Sequence, residues 1–402
     1  MTQQIFSLAE GAARAPEQLL AASVADSDDD TRATGLVLTK EQIKHIKRYE
    51  LAGLALPTAL ADVIAYLGYE NGAGKGLEAT DFQSTFTLIN GHARLWSPLR
   101  TDLLSVGDKL VMFAQKIQIY GKGITEVFDD IKALGIVEKY NITTLEDLRR
   151  VERELGDEFP GIEFSKQDET NRKDIGYFLD QILKHVKQQE ADVNTIKFRL
   201  DAFGFLLETK IGPAIKLKLA TIDNNSLGAE IKALQEKIDT RDKDIDEKNK
   251  EYKQLVKEAV GSITSGLIMI IYLSVQAEKI RKERDKLRKQ QEVDIALMEK
   301  KNRILASLSR VRMDFQDLDL VVLDADIATK NLIYMWGSLS NFIATSSGEV
   351  DAIHDGLTLR RFKIQFEAVV NPWQNIEKNA YALLHVFAQA DSEFRAEYGD
   401  QK

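Results

Sequence analysis

The sequence predicts an all-α protein, and three observations carry the prediction. Only six prolines occur in 402 residues, and none lies between Pro213 and Pro372. Apolar residues recur at steps of three and four along most of the chain. No apolar–polar alternation persists long enough to require a sheet; the nearest, Leu320-Val321-Val322-Leu323, is better explained by the helical seam around it. A long span without proline suits long helices, because proline removes a ladder donor and its ring clashes with the preceding turn.

Residues 1–37 read as a weakly ordered segment, small and polar, with the acidic cluster Asp26-Ser27-Asp28-Asp29-Asp30 suited to water. Thr39 before Lys40-Glu41-Gln42 predicts a helix cap, and the following helix breaks at Leu56-Pro57-Thr58. Gly72-Ala73-Gly74-Lys75-Gly76 reads as a loop. From Asp81 to Ile131 the apolar positions Leu99, Leu103, Val106, Leu110 and Phe113 keep helical spacing. Residues 135–168 are short-helical or irregular, with Gly156 and Pro160-Gly161 as breakers. A helix from about Asn171 to Lys210 carries Ile175, Phe178, Leu179, Ile182 and Val186 on one face.

Beyond Gly212-Pro213 the character changes. Ile231, Leu234, Ile238, Arg241, Ile245, Lys248, Tyr252 and Leu255 form a heptad-like seam that predicts a coiled-coil arm. A second, denser seam follows at Ile304, Leu308, Val311, Phe315, Leu318, Val322 and Ala325 and indicates deep packing. A last helix pair spans 351–398 and is interrupted at Asn371-Pro372-Trp373.

Between the seams, Ala259 to Ala277 run nineteen positions without a charge. At 1.5 Å per residue such a helix reaches about 28 Å, close to a bilayer's hydrocarbon core. A single crossing would place the arms on opposite sides of a membrane. The roughly equal, heavily charged arms instead favour an antiparallel hairpin whose tip is the uncharged run, with Gly261-Ser262 and Ser265-Gly266 as permissive backbone. Ile263, Leu267, Ile268, Ile270, Ile271, Tyr272 and Leu273 are the side chains expected to enter a bilayer. Lys279, Arg281, Lys282 and Arg284 are expected to meet anionic headgroups. Two other readings stand beside this one: the run packed inside a helical scaffold, and a single true span of a membrane-anchored sensor.

Composition narrows the function further. A 44% hydrophobic and 29% charged chain is typical of soluble proteins, and the net charge of −9 argues against a general nucleic-acid binder. Without cysteine there is neither a disulfide framework nor a thiolate metal site. The N-terminal MTQQIFSLAEGAARAPEQLLAAS has no basic region followed by an apolar run, so no secretory signal is recognised, and export would use another route.

Nothing recommends catalysis, and no cofactor is expected. The Gly72–Gly76 loop lacks the spacing and the Ser or Thr of a phosphate loop. Asp314, Asp317, Asp319, Asp324 and Asp326 read as a solvated helix face, since Asp-x-Asp pairs diverge by about 200°. The histidines at 45, 92, 185, 354 and 385 are scattered, and Trp96, Trp336 and Trp373 read as core anchors.

Several blocks together resemble a known family. These are LTKEQIKHIKRYELAGLALPTALADVIAYLGY (Leu38–Tyr69), the GLEATDF that follows, Trp336 in NLIYMWGSLSN, NPWQN around Trp373, and the uncharged run followed by AEKIRKERD. They resemble the A component of the alpha-xenorhabdolysins, binary α-helical pore-forming toxins of cytolysin A-like architecture. The resemblance runs from about residue 38 to the C-terminus. It implies an elongated five-helix tail bundle with an antiparallel coiled-coil stalk ending in a membrane-active tip. The tail would comprise 38–228 and 304–402, and the stalk 229–303. It also implies a soluble, secreted subunit that binds a target-cell lipid membrane, recruits a B component and joins an oligomeric pore. Carried onto this chain, the foot falls on Val260–Val275, which adds Val260, Met269 and Val275 to the membrane-binding set. The tip here is richer in Ile, Met and Tyr than the glycine-rich tips of the family.

Overall fold

Helices begin where the sequence supplies caps. Thr39 accepts from the backbone N–H of Gln42 while its own N–H donates to Gln42 Oε1 at 2.9 Å, closing a capping box at the start of Lys40–Leu54. Thr144 and Asp147 repeat the device at Leu145–Leu155. A computed structural model describes residues 2–24, 39–71, 74–222, 228–261 and 275–398. In chain order these residues form α1 (Thr2–Val24), α2 (Lys40–Leu54), α3 (Leu60–Leu67), α4 (Ala79–Ala93), α5 (Trp96–Asp130), α6 (Lys132–Lys139) and α7 (Leu145–Leu155). Then come α8 (Lys166–Leu206), α9 (Gly212–Thr221), α10 (Ala229–Gly261), α11 (Val275–Glu299), α12 (Arg303–Glu349), α13 (Gly356–Val370) and α14 (Trp373–Tyr398). The described residues hold no β-strand, only one isolated bridge between Glu163 and Asp355.

Three expectations are corrected at this level. Much of the N-terminal segment is helical: α1 buries Ala9, Ala12, Ala15 and Leu19, a face of mostly small side chains whose composition alone looked unstructured. The stretch from Asp81 to Ile131 is two helices, parted at Arg94-Leu95, where Pro98 has no N–H to return to the Arg94 carbonyl. Conversely, Gly212-Pro213 ends nothing. A π-helical turn, Leu207–Ile211, carries α8 into α9 and places Pro213 in the first turn, where its missing donor is harmless. The breaks at Pro57 and Pro372 fall where proline predicts them.

The chain divides into two compact units. The first comprises Met1–Ala21, Val106–Asn194 and Leu332–Ala382. Its core is aromatic: Phe113 meets Trp336 and Trp373 edge-on, each at 4.8 Å between ring centres, and the two indoles stack at 5.8 Å. Val137, Ile142, Val151, Ile162 and Leu357 form a second cluster under α6, α7 and α13. There the start of α13 lies so close to α6 that a Cβ on Gly356 would stand 2.2 Å from the Ala133 carbonyl oxygen.

The second unit comprises Ala22–Ser105, Thr195–Asn331 and Leu383–Lys402. Within it α2 packs on α4, and Tyr49, His92 and Phe203 are linked in series. His92 Nε2 lies 3.0 Å from the Phe203 carbonyl and so must donate, which leaves Nδ1 to accept from the Tyr49 hydroxyl at 2.6 Å. Burial lowers the His92 pKa and keeps this ring neutral.

Gly356→Ala is expected to cost about 1–3 kcal/mol, because the added carbon meets backbone that cannot rotate away. Gly337→Ala, inside α12 with open space around it, should instead gain about 0.5–1 kcal/mol. Urea unfolding followed by far-UV circular dichroism reads both.

Candidate functional site

α10 and α11 lie side by side and antiparallel. Arg241 pairs with Asp294, Gln291 donates to Asp242, Lys248 meets Glu283 at 2.9 Å, and Arg281 reaches Tyr252, so positions rising along α10 meet positions falling along α11. The two arms therefore form a hairpin joined through the uncharged run. At its base an apolar cluster of Leu234, Ile238, Ile295, Met298, Leu305, Ala306 and Met313 ties both arms to α12. Leu234, Ile238, Ile245 and Tyr252 of the predicted seam are buried, while its other row slips by one position, from Arg241, Lys248 and Leu255 to Asp242, Asn249 and Val256. One row was legible; the polar side chains of Asp242 and Asn249 hid the phase of the other.

Above the base, buried charges join the apolar packing of Ile245, Tyr252, Val256 and Ile280. Asp314, Asp317 and Asp324 on α12 are 2%, 1% and 1% exposed, which corrects their reading as a solvated face. Between Leu305 and Thr329 no residue of α12 is fully exposed, and its half-exposed stripe, Arg312, Phe315, Asp319, Val322 and Asp326, includes only two of the five aspartates. Arg288 Nε donates to Asp317 Oδ2, and Arg284 Nη2 lies 3.4 Å from Asp317 Oδ1. Arg281 lies 3.2 Å from Asp324, which also accepts from the Tyr252 hydroxyl and, at 2.6 Å, from Gln42 Nε2. Its guanidinium also sits over the Tyr252 ring, 4.9 Å from the centre. From α2, His45 Nδ1 approaches Asp317 at 3.8 Å. On the α10 side, Arg312 holds Asp242 at 3.0 Å, and the Gln316 amide donates to Asp242 O and to Asp246 Oδ1. Polar grooves of about 510 and 90 Å³ flank this seam between α2 and α11.

The electrostatics follow from burial. Asp317, surrounded by Arg288, Arg284, Arg48 and His45, is held down at about 2 despite complete desolvation. Asp314 is pushed up to about 7, because its desolvation outweighs the pull of Arg48 and Arg288. Asp242 is raised to about 6 for the same reason, against Arg312. His45 is driven well below 6.5 by burial and stays neutral.

The predicted site residues separate. Ile263, Leu267, Ile268, Met269, Ile270, Ile271, Tyr272 and Leu273 lie outside the described residues. Val260 and Val275 end the two arms, and their side chains are likewise outside the description. Lys279 and Lys282 are exposed. Arg281 and Arg284 are not: both turn inward to Asp324 and Asp317, so in this conformation they hold the hairpin and present no charge to headgroups. The signal was present in the basic cluster. Its arginines, 281, 284 and 288, step by three and four as a seam does, and its lysines, 279, 282, 286 and 289, occupy the opposite face. Among the described residues no group of His, Asp and Glu is arranged to hold a metal, and no helix is long and apolar enough to cross a membrane.

No family model and no curated protein matches the chain. Solved structures do. YaxA from Yersinia enterocolitica is 25% identical, covering 90% of this chain and 100% of its own, with a TM-score of 0.48. A chain of the XaxAB pore complex from Xenorhabdus nematophila is 27% identical over 90% of this chain and 100% of its own, with a TM-score of 0.44. The chain resembles the A components of the alpha-xenorhabdolysins. SmhA, of the tripartite alpha-pore forming toxin Smh from Serratia marcescens, is 12% identical over 94% of this chain and 95% of its own, with a TM-score of 0.53, a likeness of fold. The alpha-xenorhabdolysin resemblance thus rests on sequence blocks lying on α2–α4, α11, α12 and α14.

Asp314 gives the buried seam a pH signature. Its folded pKa of about 7 lies above the usual 3.8, so the folded chain keeps a proton that the unfolded chain loses. Its contribution is therefore complete below about pH 4 and is lost as pH rises towards 7. Asp317 has the opposite sign: its contribution stands above 3.8 and is lost as pH falls towards about 2. Asp314→Asn is expected to gain on the parent chain as pH rises from 4 to 7, by up to about 1.4 kcal/mol per pH unit. Parallel urea titrations across that window measure the difference, and a constant difference would show that Asp314 does not carry it.

Proposed function

We propose that the chain is the membrane-binding subunit of a bacterial two-component pore-forming cytolysin. On this reading the α10–α11 hairpin is the stalk of an elongated five-helix bundle, the tail takes 38–228 and 304–402, and 259–277 is an anchoring tip. The observation that carries the reading is the antiparallel pairing of α10 with α11, which returns both arms of the uncharged run to one body. A single crossing would part them. The sequence resemblance supports the B component as partner and an oligomeric pore as product.

The tip's membrane contacts would be Val260, Ile263, Leu267, Ile268, Met269, Ile270, Ile271, Tyr272, Leu273 and Val275. Each buried apolar side chain contributes about 1.5–3 kcal/mol before ordering costs, so a few suffice for reversible anchoring. Lys279 and Lys282, exposed in the first turns of α11, are the headgroup contacts that remain, each worth about 1 kcal/mol on an anionic surface. The subunit would be secreted and soluble before it meets a target-cell membrane.

Ile268→Asp combined with Ile271→Asp is expected to abolish sedimentation with liposomes while leaving helicity intact. Dye release from the same liposomes should require both this chain and a B component. Undiminished binding by the double variant would favour a scaffold with the run packed inside a helical body.

A further inference from the structure

Among the described residues the buried aspartates other than Asp314 all have partners. Asp168 accepts from the Lys132 N–H, Asp317 meets Arg284 and Arg288, Asp324 meets Arg281, and Asp242 meets Arg312. Asp314 is 2% exposed, yet among the described residues it makes no ion pair and accepts no hydrogen bond. The cations nearest to it are engaged elsewhere. Arg288 Nε donates to Asp317, Arg48 lies 3.5 Å from Glu292, and Arg310 lies 2.9 Å from Glu299.

Asp314 lines a cavity of about 300 Å³ within the second unit. Leu51 and Ala52 from α2, Met313 from α12 and Phe394 from α14 give this cavity apolar walls, and Arg48, Glu292 and Arg310 also border it. Its volume is at the lower end for small-molecule sites, and apolar walls with one convergent polar group are their usual construction. A buried carboxylate without a partner is costly, and a cation that brings N–H donors within hydrogen-bond reach removes that cost. The bordering arginines already hold glutamates, so an anion would meet Asp314 without such relief.

We propose that this cavity binds a small primary amine with an apolar body, its ammonium group on Asp314 and its hydrocarbon against Leu51, Ala52, Met313 and Phe394. Because α2, α11, α12 and α14 all contribute to the lining, an occupant would tie the α11 arm to its three neighbours. Binding would also be coupled to a proton. Facing Asp314 are Arg48 and Tyr49 from α2, Arg288 and Glu292 from α11, and Arg310 and Asp317 from its own helix; α14 contributes Phe394, which does not titrate. Burial keeps Tyr49 neutral, and Asp317 is held at about 2 by its arginines. Asp314 itself sits at about 7 and so carries a proton over much of the acidic range. An ammonium group favours the carboxylate, so the amine displaces that proton and binds more tightly as pH rises towards 7, by up to about tenfold per unit. The proposal stands apart from the membrane reading and is tested without lipid.

The test is isothermal titration of the full chain with butylamine, hexylamine and phenethylamine, with phenethyl alcohol and phenylpropionate as neutral and anionic counterparts. At least one amine should bind saturably, one per chain, and raise the thermal midpoint. Both counterparts should bind more weakly by about tenfold or more. Between about pH 6 and 7 the measured heat should vary with the ionisation enthalpy of the buffer, which reports the released proton. Asp314→Asn should lose binding. Ala52→Leu, which fills the cavity and leaves every charge in place, should lose it too, and circular dichroism confirms that both variants fold. No saturable amine binding, equal binding of the alcohol, heats indifferent to the buffer, or parent-like binding by either variant would each overturn the proposal.

Discussion

The docking of α11 onto α12 through buried arginine–aspartate pairs is the constraint on which the second unit depends. Asp317 and Asp324 cannot stay ionised inside that unit without Arg284, Arg288 and Arg281, and these guanidinium groups cannot be buried without the carboxylates. Removing one member of such a pair leaves an uncompensated charge and costs about 3–5 kcal/mol, although the intact pair is often no better than a well-packed apolar contact. The network therefore adds little net stability. Its effect is directional. Guanidinium and carboxylate groups fit at one register, whereas an apolar seam tolerates slippage by a turn. The apolar cluster at the base of the hairpin fixes its root, and the charges above it fix the rest of its length.

This arrangement also explains why the cationic cluster before Gln290 contains two residue types. Arginine's planar fork suits buried carboxylates, and its weaker hydration lowers the cost of burial. Lysine, a compact and strongly hydrated charge, is left in water. Along α11 the division is complete from Lys279 to Lys289: arginines face α12 and lysines face solvent. A reading that pools the two as one basic patch assigns Arg281 and Arg284 to the wrong side of the helix.

Much of the fold was legible because its signals are local. Thr39 with Gln42 announces a helix start, Pro57 and Pro372 announce interruptions, and the three tryptophans take the buried places that their size suggests. What was not legible depends on partners distant in sequence. Asp314, Asp317 and Asp324 look like a solvated face until α2, α10 and α11 close around α12. The row of the α10 seam at Ile238, Ile245 and Tyr252 was legible, but the other was read one position early because Asp242 and Asn249 fill heptad positions where apolar residues are sought. Helix α1 was missed because alanine at its buried positions gives no amphipathic contrast. At the candidate site, the uncharged run was plain from composition, while the machinery that seats its arms was visible only as a spacing of arginines.

A polar seam has a particular consequence for a hairpin that carries an uncharged run at its turn. If the arms lay on the body through a continuous apolar stripe, undocking them would expose that stripe to water and to other chains, and the arms would aggregate. Arms seated by Arg281, Arg284, Arg288, Asp242 and Asn249 expose groups that water solvates well. The separated hairpin would therefore expose, besides the run itself, little more than the apolar root of Leu234, Ile238, Ile295 and Met298 and the few apolar positions of its seam. The seam thus reconciles two demands that otherwise conflict: a defined docked state, set by the geometry of ion pairs, and arms that remain soluble away from the body.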